Sequence, residues 1–527
     1  MTTEKTASPT VGQKFAADLS GDIRARSGLI WLVTREEARA ERLIVEACGS
    51  AGYEPRFWDC AVGWTDLAGR KIPPGAVVDP GAALASIRES EEQARVVYVM
   101  RDLGAFLTTP FDIRSLRSLV RALPLRPRER AGTIIVLGPR AEIPPELQGH
   151  ALVRELPLPD RAEISDVLSS VLENNFQDTG ARSAACPNGT ADAAIDAAVG
   201  LSESETQAMM QRSLVSTRRI DPTTIRSEKK RIVNGTRGLE WIEPDPRGLD
   251  AIGGLENMKA WLKLRRVGFG RAAREYGIRP PHGVLLVGVS GNGKSLTAKA
   301  VPTAWGLPCL KVDLGSIKDK FVGNSEAGLR AAFRMAAAVA PVVLWFDEVE
   351  KSLSGATQGA ADGGVSGDVL YTLLGFLQDL PEGVVVIATA NDVSAIPPEL
   401  LRKGRFDEIF FIDLPSETER AAILAASLRM NNRTEKIDLA AVAAVTEGFV
   451  GAELAALVPD SLFAAFADGA RPITTADLIN SAKATVPLSK TAPEKIAAIR
   501  KWGAERARPA SATVVAAPRA SSPTLDL

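Results

Sequence analysis

Gly288-Val289-Ser290-Gly291-Asn292-Gly293-Lys294-Ser295 fills every fixed position of the pattern G-x-x-x-x-G-K-[ST]. Its flanks decide how it is read. Gly283-Val284-Leu285-Leu286-Val287 is a short apolar run of the buried parallel-strand type, and residues 296–304 continue as a helix, so the glycines fall on a strand-to-helix turn. In that setting successive backbone N–H groups turn inward on phosphates, assisted by the positive end of the helix dipole. The stretch predicts a nucleoside-triphosphate site. Lys294 is expected to reach the β- and γ-phosphates and the Ser295 hydroxyl to ligate Mg²⁺, with Gly288, Val289, Ser290, Gly291, Asn292, Gly293 and Leu296 contacting the nucleotide.

At 527 residues the chain is too long for one ordinary core, and two or three domains with a tail are expected. Its 45% hydrophobic and 24% charged residues are those of a globular protein, and a formal net charge of -1 carries no overall footprint for nucleic acid. The four cysteines, Cys48, Cys60, Cys186 and Cys309, are far apart and lack C-x-x-C spacing, which argues against a zinc site or disulfide framework and for a reducing compartment. No basic segment followed by an apolar core opens the chain, and no apolar run is long enough to span a bilayer, so a cytoplasmic protein with no membrane partner is expected. His150 and His282 are the only histidines, so H-E-x-x-H cannot be written and no attached zinc metalloprotease is expected.

The first half repeats the plan of the second. Gly28-Leu29-Ile30-Trp31-Leu32-Val33-Thr34 reads as a strand leading into a helix, and residues 95–102 and 133–139 read as two further buried strands. Ile113, Leu116, Leu119, Val120 and Leu123 recur at helical spacing between them. Residues 342–348 and 384–391 hold the corresponding places downstream. No phosphate-loop pattern follows the first strand, so this half is read as a degenerate copy that binds no nucleotide and serves partner docking or support. Residues 161–174 and 191–215 read as helices of a small subdomain. Arg218, Arg219, Arg226, Lys229, Lys230, Arg231 and Arg237 follow as a solvated linker, since no aromatic residue interleaves with them before Trp241.

Further motifs stand in a fixed order in the second half. Ala251-Ile252-Gly253-Gly254-Leu255 precedes the phosphate loop; Val342-Val343-Leu344-Trp345-Phe346-Asp347-Glu348 is a buried strand ending in two acids. Val384-Val385-Val386-Ile387-Ala388-Thr389-Ala390-Asn391 is the next strand, and Pro398-Glu399-Leu400-Leu401-Arg402-Lys403-Gly404-Arg405-Phe406-Asp407 carries two arginines three apart. Ser416-Glu417-Thr418-Glu419 is a capping box, and Gly448-Phe449-Val450-Gly451-Ala452-Glu453-Leu454 lies beyond it.

This order resembles the AAA+ ATPases, within them the AAA clade with paired arginine fingers, and most of all the plastid and cyanobacterial open-reading-frame type of AAA protein. The resemblance implies ATP as nucleotide, with Ile252, Gly253, Gly451 and Ala452 around adenine. It implies Asp347 holding Mg²⁺ together with Ser295, Glu348 orienting the attacking water, and Asn391 sensing the γ-phosphate. Arg402 and Arg405 would act on a neighbouring subunit's nucleotide, a role suited to a permanently charged, forked guanidinium. Phe321, Val322 and Gly323 would line the pore of a ring and grip substrate polypeptide.

The expected fold class is α/β: a P-loop NTPase parallel sheet with a helical lid, preceded by a degenerate, P-loop-lacking α/β domain. The expected boundaries are a flexible amino terminus 1–20, the degenerate domain 21–160 and a helical segment with basic linker 161–247. The ATPase core at 248–414, lid at 415–485, carboxy-terminal helix at 486–508 and disordered tail at 509–527 complete the chain. The expected function is an ATP-hydrolysing homo-oligomer, hexameric by resemblance, that remodels or translocates an unidentified protein partner. A slow nucleotide-dependent switch or scaffold is the alternative, and a nucleic-acid-dependent ATPase, resting only on the basic stretch, the weakest reading.

Overall fold

The computed structural model describes residues 9–66, 68–72, 77–90, 94–187, 189–317, 324–353, 365–402 and 404–512. The chain divides into two units, Met1–Lys229 and Lys230–Leu527.

The first unit is built on a six-stranded sheet of β1 (Leu29–Val33), β2 (Glu54–Asp59), β3 (Gly63–Thr65), β4 (Val96–Arg101), β5 (Gly132–Gly138) and β6 (Ala151–Glu155), in the order β3-β2-β4-β5-β1-β6. Only β3 runs antiparallel to its neighbour. The strands are apolar almost throughout because both faces are covered. Leu29, Trp31, Tyr98, Ile134 and Val136 enter one core, and Ile30, Leu32, Val97, Val99, Ile135 and Leu137 enter the other. Successive side chains thus divide between the faces, as a pleated strand requires.

In the second unit β7 (Leu239–Ile242), β8 (Gly283–Gly288), β9 (Cys309–Val312), β10 (Val342–Phe346), β11 (Val384–Ala390), β12 (Glu408–Ile412) and β13 (Arg508–Pro509) lie in the order β13-β12-β8-β11-β10-β9-β7. The expected repeat of plan holds strand for strand. Apart from β13, which adds a sixth parallel strand to the second unit beside β12, each unit contains five parallel strands that, numbered along the chain, lie in the order 5-1-4-3-2, and each has an antiparallel strand beside the second. Beyond the sheets, the helix Arg161–Asn175 follows β6 with a capping box of Asp160 and Glu163, as the helix Glu417–Met430 follows β12 with one of Ser416 and Glu419. Gly200 (φ 89°) precedes the helix Glu203–Thr217 as Gly448 (φ 80°) precedes Gly451–Ala467. At the end of the third parallel strand Asp102 (φ 52°) matches Glu348 (φ 49°). Residues 161–217 are therefore the first unit's own lid-like bundle.

Three expectations change, and the packing of the expected carboxy-terminal helix is added to them. Part of the stretch expected to be flexible is ordered: Val11–Arg24 is a helix with a Thr10–Gln13 capping box, and it buries Phe15, Ala16, Leu19 and Ile23, while residues 1–8 lie outside the described residues. The basic stretch is no solvated linker. It forms the helix Pro222–Gly235 and leads into β7, with Val233 in the core of the second unit and Lys229 buried, its Nζ donating to the Val199 carbonyl at 2.6 Å. The carboxy-terminal helix Pro493–Arg506 packs Ile496 and Ile499 into the core of the second unit. Residues 508–510 are ordered past the expected end of structure, as β13 and a fully buried Ala510, while 513–527 lie outside the described residues. Phe321, Val322 and Gly323 lie outside them too. Among the described residues no helix is long and apolar enough to cross a membrane.

Candidate nucleotide site

At the carboxyl ends of β8, β10 and β11 a cavity of about 390 Å³ opens beneath the helices that follow β12. It is lined by Ile252 and Gly253, by Ser290, Gly291, Asn292, Gly293, Lys294, Ser295 and Leu296, by Glu348 and Asn391, and by Gly451 and Ala452. Thirteen positions singled out in the sequence thus share one space. Its size is that of a small-molecule pocket.

The loop has the shape its glycines allow. Gly288 passes so close to β12 that a Cβ would stand 2.0 Å from the Ile412 carbonyl oxygen, and Gly293 (φ 82°) is the left-handed residue from which the helix Lys294–Trp305 starts. Lys294 is buried, and its Nζ donates to the carbonyls of Gly288 at 2.8 Å and Val289 at 2.9 Å. Burial pushes its pKa down to about 8, against the opposing pull of Glu350, Glu348 and Asp347.

Asp347 and Glu348 are held by a residue that motif reading passed over. The Thr389 hydroxyl donates to Asp347 Oδ1 at 2.8 Å and accepts the Glu348 N–H at 2.9 Å. Thr389 lies two residues before Asn391 on β11 and hence on the same face, a period-two signal that was present in the sequence. The Ser295 hydroxyl donates to the same Asp347 oxygen at 3.0 Å, and Lys311 Nζ stands 3.2 Å from the other. A hydroxyl and a carboxylate brought together at a triphosphate loop suit Mg²⁺, a hard cation that takes oxygen ligands and retains water. The Asn391 side-chain amide donates to Glu348 Oε1 at 2.8 Å, and Lys351 pairs with the other oxygen at 2.5 Å. The left-handed backbone at Glu348 is strained for a non-glycine residue and is fixed by these partners. Behind them Glu350 accepts the Asn391 backbone N–H at 2.9 Å, and burial raises its pKa.

The lid joins the loop directly. Ala452 N–H donates to the Gly291 carbonyl and Gly451 N–H to Asn292 Oδ1, both at 2.8 Å. At Gly253 a Cβ would lie 2.5 Å from the Ile423 nitrogen, so the segment and the first lid helix touch through backbone. Arg402 and Arg405 are not brought to this chain's cavity. Arg402 is exposed, and Arg405 Nη1 donates to the Leu374 carbonyl at 2.6 Å.

The first unit fills the corresponding place with its own charges. Arg39 is buried against Glu36 at 3.1 Å and Glu163 at 3.0 Å, and the Glu203 N–H donates to Glu36 Oε1 at 2.5 Å, as Gly451 donates to Asn292 in the second unit. Where Asp347 stands in the second unit the first has Arg101, paired with Glu41 and Asp59. Among the described residues no acid therefore stands at the place equivalent to Asp347.

Residues 284–414 match the ATPase family associated with various cellular activities (AAA), residues 15–156 the SpoVK-like AAA ATPase N-terminal domain, and residues 436–480 the AAA+ lid domain. The chain is 32% identical over 498 residues to the uncharacterized AAA domain-containing protein ycf46 of Guillardia theta, a match spanning 93% of this chain and 94% of that protein. It is 33% identical over 500 residues to ycf46 of Trieres chinensis, spanning 93% and 96%. A shorter match, 39% identical over 215 residues, covers 40% of this chain and 52% of the proteasome-activating nucleotidase of Aeropyrum pernix. Likeness of this extent along nearly the whole of both chains means that this protein belongs to the AAA ATPases, beside the ycf46 proteins.

Proposed function

We propose that the protein is a Mg²⁺-dependent ATPase that assembles into a ring of identical subunits and uses hydrolysis to remodel a protein partner. The observation that carries the hydrolytic part is the Asn391–Glu348 hydrogen bond of 2.8 Å at the wall of the cavity that holds Lys294. It joins the residue that would activate water to the one that would read the γ-phosphate.

On this reading the loop N–H groups and Lys294 bind the triphosphate, Lys294 exchanging its two carbonyl partners for phosphate oxygens. Ser295 and Asp347 hold Mg²⁺, which supplies charge neutralisation at the phosphates. Glu348 orients a water for in-line attack and takes up its proton, while Asn391 keeps the carboxylate aimed. Arg402, exposed, and Arg405, once released from Leu374, complete the site of the next subunit, so an isolated subunit hydrolyses slowly. The remodelling role is supported by membership of the AAA ATPases and by likeness to a nucleotidase named for activating the proteasome. Phe321, Val322 and Gly323 are the residues proposed to grip polypeptide.

Steady-state phosphate release with an unfolded polypeptide, with DNA and with neither tests this function. Stimulation by polypeptide that disappears in Phe321→Ala is expected. Stimulation by DNA alone would favour a nucleic-acid motor, and a flat response to both a switch or scaffold.

A further inference from the structure

The segment after the helix Pro493–Arg506 runs back into the second unit. Gly503 lets that helix settle on Phe411, where a Cβ would stand 2.4 Å from ring atoms. The chain then pairs as β13 alongside β12, with Pro509 opposite Phe411, and the Ala510 N–H donates to the Phe411 carbonyl at 2.9 Å. From the other side Met258 N–H donates to the Ala510 carbonyl at 3.1 Å and the Asn257 side-chain amide to the Ser511 carbonyl at 2.7 Å. Residue 511 is thereby fixed between the sheet edge and the helix Glu256–Arg265. Its hydroxyl lies 2.5 Å from Glu419 Oε1, an oxygen that also accepts the Leu255 N–H at 3.1 Å. Ser511, Leu255, Glu419 and Ile423 all line the nucleotide cavity, at the end bounded by Ile252 and Gly253.

The direction of the Ser511 bond follows from its partner. Burial pushes the Glu419 carboxyl up, but the hydrogen bonds from Ser511, Ser416 and Leu255 outweigh it and hold the group below its ordinary value. An ionised carboxylate only accepts, so the Ser511 proton is committed to Glu419 and the hydroxyl oxygen has only lone pairs left to offer. Such a group suits a ligand N–H donor and opposes a ligand carbonyl.

We infer that Ser511, delivered by β13, is a nucleotide-binding residue that reads the base, accepting from an exocyclic amine as adenine has and disfavouring the carbonyl that guanine presents there. The segment 508–511 is then part of the site and not a trailing end. This rests on the nucleotide reading above.

The test uses the full-length chain and calorimetric affinities for ADP, GDP and inorganic tripolyphosphate in the parent, Ser511→Ala and Ser511→Thr. Loss of one base-directed hydrogen bond is expected to reduce the ADP-to-GDP preference by about fivefold in Ser511→Ala. Ser511→Thr, which keeps the hydroxyl, should retain the preference, and tripolyphosphate affinity should be the same in all three. Hydrogen exchange at the Ala510 amide should slow on adding ADP to the parent and do so less in Ser511→Ala. An unchanged ADP-to-GDP ratio in Ser511→Ala overturns the inference. Equal weakening of all three ligands also overturns it, since the segment would then be a brace only. A parent that binds none of the three would sink the nucleotide reading itself, a failure distinct from either.

Discussion

Gly451 donates its backbone N–H to the Asn292 side-chain oxygen at 2.8 Å, while the amide of the same Asn292 donates to the Asp413 carbonyl at 3.0 Å. One side chain of the phosphate loop thus ties the lid to the strand end from which the lid departs. The position varies freely in the G-x-x-x-x-G-K-[ST] pattern, and phosphate binding by backbone does not need it. Asn292→Ala removes both bonds, each worth about 1 kcal/mol net. Stopped-flow chase of a fluorescent ADP should show release about tenfold faster, with tripolyphosphate affinity little changed.

Lys294 sets a pH dependence. Burial holds its pKa near 8 in the free protein, whereas an ordinary lysine titrates at 10.5. Between those values the unfolded chain holds more protons than the folded one, so this residue makes stability rise with pH across that window. Phosphates favour the charged ammonium and raise its pKa, so above about pH 8 ligand binding takes up a proton and affinity falls as pH rises. Calorimetry of ADP binding at pH 8.5 in buffers of different ionisation heat should register that uptake, and Lys294→Met should abolish it.

Glu348→Gln should separate binding from chemistry. The glutamine can still accept from Asn391, but it cannot take a proton from water. ATP affinity is expected to stay within a few-fold of the parent, with phosphate release lower by about 10²–10⁴-fold. Parental turnover in this variant would mean that another group activates the water.

In the first unit Arg39→Ala leaves Glu36 and Glu163 without their shared buried partner. Breaking a buried pair from one side costs about 3 kcal/mol or more. Urea unfolding of the full chain should show an earlier transition for the unit that contains Arg39. ADP affinity should not change, because the second unit's cavity contains none of these residues.

The nucleotide site was legible where chemistry fixes residue type at fixed spacing. The phosphate loop, Glu348 after β10 and Asn391 after β11 all face one cavity, and Asp347 meets Ser295 beside it. The duplicated plan could be read from three apolar runs, because strands buried on both faces are apolar throughout. What escaped was tertiary. Val233 is buried in a segment whose lysines and arginines masked its apolar stripe, and Ala510 is buried in a run of alanine, proline and serine. Neither has local periodicity strong enough to register, and only pairing with distant strands orders them. Ser511 lies 92 residues from the Glu419 it meets, and no local pattern encodes that contact.

Hydrolysis is proposed to be completed across a subunit boundary, and mixing two inactive variants tests this most directly. Glu348→Gln lacks the water-activating acid and Arg402→Ala lacks an arginine for its neighbour, so each alone should release phosphate at background rates. Combined at equal concentration with ATP, they should regain activity, because some interfaces pair an intact Glu348 with an intact Arg402. If the mixture stays as inactive as its parts, or if Arg402→Ala is as active as the parent, hydrolysis is not shared between subunits and the ring mechanism is wrong.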